Sequence, residues 1–432
     1  MKERSPKSSP ARRMQLHLAS GLLLHAGALQ TGAALAPLPR PSTDSPLIAS
    51  AQRYFSLGNE VKQQLGPTNP EDLNKELADD FEFVAPLVGP LGKDAIISAT
   101  AGLDLGAGLP DFDARYHDFR VDSDDQNRIW CTMRVQGTHT GTFTFAGVEA
   151  APNTPPTTVH SPPEAVSLRF NAAGKVVELT TGYPLDRRAG STGGLGGIFG
   201  ILEGLGYSLP TPLTRPCGYL LAPLLKPFNL ALPTAADDDA CADPKLRPPQ
   251  LSAEDRLEEA TLLELAAALI AADHGAADPS LLSDDAFSFC GPIVGPLGKS
   301  AFLGAWGALS AGIGEGLPDL EWNYRDATVD PFDINRVWVT SNAVGTHTGT
   351  LRLFGATHEA TGKRWLGAPE RSSFTFDGNG RCVAITGGYV MDRRMGNTEG
   401  LGGVYGLCVA LGLPTPTPRW LLKTPTQLFQ SS

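Results

Sequence analysis

Between residues 129 and 135 the chain alternates strictly, with Ile129, Cys131, Met133 and Val135 on one parity and Trp130, Thr132 and Arg134 on the other. Successive side chains of a strand leave opposite faces, so this pattern predicts a long strand with one apolar face. The apolar parity continues through Gly137 to His139, which is expected to point inward with space beside it. Further strands are predicted through Val166, Leu168 and Phe170 and, after a turn at Gly174, through Val177 and Leu179. Upstream the period is helical, over 46–65 and 69–78; Phe81-Glu82-Phe83-Val84 then reads as a short strand closed by Pro-rich turns, followed by a helix from near Lys93. A Gly-rich helix over 195–206 is expected to close the unit.

The same order of elements then repeats. Gly-Thr-His-Thr-Gly-Thr starts at Gly137 and again at Gly345, and Val-Gly-Pro-Leu-Gly-Lys starts at Val88 and again at Val294. Gly182, Tyr183, Asp186, Arg187 and Arg188 return as Gly388, Tyr389, Asp392, Arg393 and Arg394, and Trp130 returns as Trp338. The offset stays at 206 to 208 residues (Gly295 against Gly89, Gly345 against Gly137, Asp392 against Asp186), so the copies are collinear. A unit of this length is a whole domain and not a solenoid repeat. The expected layout is a leader over 1–47, a first domain over 48–210, a Pro-rich connector over 211–250 and a second domain with its tail over 251–432. In the second copy Ser252 is placed to cap a helix over 254–272.

Charge and composition narrow the partners. With 35 Lys and Arg against 46 Asp and Glu, the net charge of −11 argues against a protein that tracks phosphates, so no nucleic acid is expected. Four of the six cysteines fall inside the copies opposite apolar residues and read as core; Cys217 and Cys241, in the connector, could pair. No phosphate loop, hydrolase elbow, HExxH or CxxC occurs, and no cofactor or metal is expected. The N-terminus carries Lys2, Arg4, Lys7, Arg12 and Arg13 before an apolar run, then Ala33-Ala34-Leu35-Ala36-Pro37, with no acid between Glu3 and Asp44. That is the layout of a signal followed by a basic, acid-poor segment, as in bipartite leaders to a plastid; a plain secretory signal is the alternative. The apolar run is too broken for a stable membrane span.

Two constellations could carry chemistry. The inward histidines His139 and His347 either serve a site or are buried rings satisfied by neighbouring threonines and backbone. Asp186 and Asp392 could act as general acid or base if burial raised their pKa; the competing reading pairs each with an adjacent arginine or makes it a helix cap.

Helices, a short Asp-x-Phe-x-Phe strand, Gly-Pro-Leu-Gly-Lys, a helix, Leu-Pro-Asp, a long strand ending Gly-Thr-His-Thr-Gly, a hairpin and a strand leading to an Asp resemble the SnoaL-like polyketide cyclase branch of the nuclear transport factor two-like superfamily. The resemblance implies an α+β fold: two tandem cone-shaped domains, each a curved, mostly antiparallel sheet packed on N-terminal helices. It implies a pocket for a small apolar carbonyl or polycyclic molecule, no cofactor, and a cyclase, isomerase or lyase reaction with Asp186 and Asp392 as acid/base and His139 and His347 beside them. Tyr183, Tyr389, Trp130 and Trp338 are then expected to bind substrate. The superfamily also holds non-catalytic modules, so a plastid protein binding a hydrophobic pigment or lipid, or serving assembly, stands as the other class. Two linked cones are expected to pair through their sheets as an internal pseudo-dimer. Because Glu82, His117 and Glu178 stand where the second copy has Ser288, Arg325 and Ala384, the two pockets are expected to differ, with the main site in the second copy.

Overall fold

A computed structural model describes residues 36–57, 67, 69–100, 105–145, 148–207 and 250–415. The first 35 residues, the connector from 208 to 249 and the chain beyond 415 lie outside the described residues, and so do Cys217, Cys241 and most of the expected leader. The leader expected over 1–47 nevertheless overlaps the fold: Val121 donates its N–H to the Ser42 carbonyl, and Ala327 donates to Pro39 at 2.9 Å. The stretch after Ala36 is therefore tied to a strand of each repeat.

Each repeat is built on one six-stranded sheet. In the first the order is Leu91–Gly92, Leu77–Val84, Val176–Pro184, Glu164–Phe170, Arg128–Met133 and His117–Val121. The second repeats it with Leu297–Gly298, Ser288–Cys290, Cys382–Val390, Glu370–Phe376, Arg336–Ser341 and Arg325–Val329. Only the pairing of Leu77–Val84 with Val176–Pro184, and its counterpart, is parallel. The chain is thus α+β, two curved and mostly antiparallel sheets in tandem, each with helices against one face. No helix among the described residues is long and apolar enough to cross a membrane.

Parity sorts the side chains as expected, with one addition. Ile129, Cys131, Met133 and Val135 join the helix-facing core of the first repeat. Every residue of Arg128–Met133 is buried, however, and so is every residue of Arg336–Ser341. The second face is covered by the other repeat: Trp130, Ala165, Tyr183 and Leu185 pack with Trp338, Tyr389 and Met391 in one cluster. Alternation in sequence marks two faces, and a Trp-x-Arg face reads as half-wet until a partner sheet covers it.

Some elements end differently from the pattern. The strand leading to His139 breaks after Met133, and Gln136–His139 pairs instead with Thr157–His160 in a separate two-stranded ribbon. Ser252 caps a 3-10 turn, Ala253–Asp255, through a capping box with Asp255, and the helix proper is Glu259–Ala271. The interruption follows from Asn335, whose side chain accepts from Leu257 N at 2.8 Å and holds that backbone off the helix. Cys131, Cys290, Cys382 and Cys408 are buried and form no disulfide, as core cysteines should.

The two cores differ in continuity. In the first repeat Leu105, Leu109, Phe143, Ile201 and Leu205 belong to the same cluster as Phe81, Ile129 and Phe170. In the second, the matching Ile313, Leu317, Leu351, Leu407 and Leu411 form a cluster of their own, apart from Phe287, Phe302, Val337 and Phe374.

Candidate functional site

The gap between those two clusters is a cavity of about 1150 Å³. Phe302, Phe374 and Ile385 line one side of it and Ile313, Leu353 and Trp365 the other. Trp306, Trp322 and Trp365 all border it, where the collinear positions of the first repeat carry Thr100, Ala114 and Val159. The first repeat contributes Pro86, Leu87, Tyr183, Pro184 and Arg187 to the same wall. A volume of this size, largely apolar and bordered by several aromatic rings, suits an organic molecule of several rings.

Three polar side chains matter most inside it: Glu370, Tyr324 and His274. Glu370, at the start of its strand, accepts a hydrogen bond from Gly403 N at 2.7 Å and so braces the N-terminus of helix Gly403–Leu411. Its twin Glu164 does the same for Gly197 at 2.8 Å. Burial pushes both carboxyls up to about 7, against the hydrogen bonds from Gly403 and Gly197. They differ in access: Glu164 is 0 % exposed, while Glu370 keeps accessible surface that faces the cavity although protein encloses it. Tyr324 and His274 are the second pair, with Tyr324 Oη 3.2 Å from His274 Nε2. Burial, then the charges of Asp273 and Glu370, raises the Tyr324 phenol well above its ordinary range and keeps it protonated.

The residues singled out from sequence sit elsewhere. Asp186 and Asp392 do not line the cavity; they lie buried between the two sheets. Asp186 pairs with Arg188 at 3.2 Å and with Arg336 of the second repeat at 2.9 Å. Asp392 mirrors it, with Arg394 at 3.2 Å and Arg128 of the first repeat at 3.5 Å. Burial alone would raise the Asp186 carboxyl, but the Arg188 and Arg336 guanidinium groups outweigh it and hold it below the usual carboxylate range. An acid/base near neutrality needs the opposite shift to that of Asp186, and both aspartates sit as ion-paired residues between the sheets, away from the cavity.

The other expected ligands follow the same interface. Trp130 Nε1 donates to Asp122 at 2.6 Å and Trp338 Nε1 to Asp330 at 2.7 Å, each with an arginine over its ring, and neither borders the cavity. Tyr183 and Tyr389 do border it, but their hydroxyls accept from Arg393 N at 3.3 Å and Arg187 N at 3.2 Å across the repeats. Arg187 then donates to the Gly291 carbonyl at 2.9 Å and to Gly295, and Arg393 to Ala85 at 3.1 Å and Gly89. Gly295 has φ +99 and a Cβ there would stand 2.5 Å from the Phe289 carbonyl, so the turn that receives the arginine requires glycine.

His139 and His347 face inward, fully buried, yet outside the cavity wall. His139 Nδ1 lies 3.3 Å from Asn153 Oδ1 and His347 Nδ1 3.0 Å from Thr361 Oγ1, while both Nε2 atoms lack a hydrogen-bond partner. Neither histidine meets its repeat's late-strand aspartate in a common pocket. The expected sources of asymmetry are also at the interface: Glu178 pairs with Arg128 at 2.5 Å and with Arg394 at 2.8 Å, and Arg188 donates to Ser288 at 2.8 Å. The repeats differ at the cavity through aromatic content instead. Among the described residues no group of His, Cys, Asp and Glu could hold a metal ion.

Sequence reasoning passed over His274, Tyr324 and Glu370. Glu370 carried a signal, since Glu164 stands at the matching position. Three tryptophans confined to one copy were the signal for the cavity.

No protein-family model matches the chain, and no curated protein matches it. Solved structures each match about a third of the chain. A Jannaschia protein assigned to the SnoaL-like polyketide cyclases is 18 % identical, covers 32 % of this chain and 89 % of its own, and has a TM-score of 0.24. A phenazine biosynthesis-related protein from Pseudomonas aeruginosa gives 14 %, 38 %, 86 % and 0.22. An Exiguobacterium NTF2-like protein of unknown function gives 20 %, 31 %, 95 % and 0.20. By its own strand order and layers the chain is an α+β tandem of two curved, mostly antiparallel sheets, each packed on helices.

Proposed function

We propose that the second repeat is a cofactor-free catalyst of the lyase, isomerase or cyclase type, acting on a small apolar carbonyl or polycyclic molecule. Glu370 takes the acid/base role first sought in Asp186 and Asp392. The observation that carries this reading is a carboxyl with a pKa of about 7 whose open side faces an aromatic cavity, while its twin Glu164 is sealed. Such a group holds either protonation state near neutrality, as proton abstraction and return require. The first repeat then serves as a built-in partner, and the cross-repeat bonds of Asp186, Arg187, Asp392 and Arg393 support an internal pseudo-dimer in solution. A plastid destination is part of the same proposal, supported by the basic, acid-poor leader.

The test uses 2-tetralone, an apolar ring ketone, with deuterium exchange next to its carbonyl followed by NMR. Wild-type protein should accelerate exchange, and Glu370→Gln should lower it by about 10²-fold or more. Asp392→Asn should leave it near wild type. Binding of 2-tetralone without exchange above buffer would replace catalysis by the hydrophobic-ligand reading.

A further inference from the structure

The end of helix Glu259–Ala271 has an unusual backbone. Asp273 and His274 adopt φ of 49 and 57, and Gly275 follows at 91, so three successive residues are left-handed. Among non-glycine residues Asn, Asp and His are the ones that most often accept this conformation, and Asp273 and His274 carry it here. Trp306 Nε1 lies 3.0 Å from both the Asp273 carbonyl and Oδ1, and its ring stands edge-on to His274 at 4.9 Å. Asp-His-Gly occurs once in the chain, with no second copy.

The consequence is a line of polar groups entering the cavity. Asp273 Oδ1 is 3.9 Å from His274 Nδ1, a buried nitrogen with no hydrogen-bond partner, and His274 Nε2 is 3.2 Å from Tyr324 Oη. His274 and Tyr324 both border the cavity, while Asp273 stands behind them. Burial works against the Asp273 charge, but the nearby His274 ring and the hydrogen bonds from Ser310 and Trp306 hold its carboxyl below the usual range. An anion behind Nδ1 favours the proton on that nitrogen and leaves the Nε2 lone pair for Tyr324.

We propose that Asp273, His274 and Tyr324 form a proton relay that meets an oxygen of the ligand, so that the cavity selects ring molecules bearing a hydroxyl or carbonyl at that end. This rests on the reading of the cavity as an organic ligand site. A ligand O–H gives its proton to Tyr324 Oη as Tyr324 passes its own to His274 Nε2; Asp273 offsets the resulting imidazolium, and reversal of the same steps protonates a ligand oxygen. Tyr324 touches the ligand, and His274 and Asp273 are positioning residues.

The experiment compares 2-naphthol with naphthalene, equal in shape except for the hydroxyl, titrated against the full chain. Tyr324→Phe keeps the ring, and His274→Asn keeps a residue that tolerates left-handed backbone. Wild-type protein should prefer 2-naphthol, with the emission of the bound probe shifted toward the naphtholate band. Each variant should weaken 2-naphthol roughly three- to tenfold, leave naphthalene within about twofold and lose the emission shift. Loss of both probes together, or no change in either, overturns the relay while leaving the cavity reading in place. If neither probe binds wild-type protein, the cavity reading falls and the relay with it.

Discussion

Asp186→Asn and Asp392→Asn separate a structural aspartate from a catalytic one, because the structure assigns the two substitutions different stability costs. Removing one partner of a buried ion pair costs about 3–5 kcal/mol when the remaining charge is stranded. After Asp186→Asn, Arg188 keeps only the Ser288 hydroxyl at 2.8 Å among the partners described above, and Arg336 keeps Ser373 at 2.9 Å and Asp333 at 3.0 Å. Asp333 is itself shared with Arg134 at 2.8 Å, so Arg188 loses its carboxylate partner and Arg336 is left with a shared one. After Asp392→Asn, by contrast, Arg394 keeps Glu82 at 2.9 Å and Glu178 at 2.8 Å, and Arg128 keeps Glu178 at 2.5 Å. The expected losses are therefore about 3 kcal/mol for Asp186→Asn and nearer 1 kcal/mol for Asp392→Asn, the latter scaled down because carboxylates remain beside both arginines.

The assay is urea denaturation followed by far-ultraviolet circular dichroism, with 2-tetralone exchange measured on the same preparations. A shift of the midpoint at constant slope reports stability directly. Equal midpoint losses for both variants would refute the pairing argument. Unchanged midpoints with exchange lost would return the aspartates to the mechanism.

Two further outcomes follow from the carboxyls and from the cavity. Glu164 has a folded pKa of about 7 against an ordinary 4.5, so its contribution to stability is fully present below 4.5 and is lost as pH rises through 7. The change is on the order of 3 kcal/mol, and unfolding midpoints measured from pH 5 to 8 should flatten accordingly in Glu164→Gln. An unaltered pH slope in that variant would contradict the burial argument. Ala305→Phe places a ring inside the cavity, so 2-naphthol affinity should fall at least tenfold with the urea midpoint almost unchanged; retained affinity would move the binding site elsewhere.

Which features were legible in the sequence depended on what duplication preserves. The strand parity around Ile129 was legible because each face of that strand meets a different environment. Parity cannot say whether the second environment is water or another sheet, and the burial of Trp130 and Arg128 against the second repeat was therefore hidden. The retained Tyr-x-x-Asp-Arg-Arg motif looked like chemistry, while Val-Gly-Pro-Leu-Gly-Lys served only to mark the repeat. In the structure they meet one another: Arg187 of one copy grips the glycine carbonyls of the turn in the other, and Arg393 returns the contact. Two copies that pair must each keep both halves of the contact, so retention marks the interface as strongly as it would mark a site.

A cavity present in one copy leaves the opposite trace, residues that differ. Trp306, Trp322 and Trp365 replace smaller or polar residues around the cavity, where among the described residues the first repeat has one continuous core cluster. Glu370 falls between these cases, retained with Glu164 as a brace for a helix and distinguished only by what surrounds it. The same carboxyl at the same helix end is sealed by one set of neighbours and opened to a cavity by the other. Its chemistry is therefore set by side chains distant in sequence, which no local motif records. For a duplicated chain of this kind, shared charged motifs are best tested first as contacts between the copies, and unshared aromatic residues first as the walls of a site.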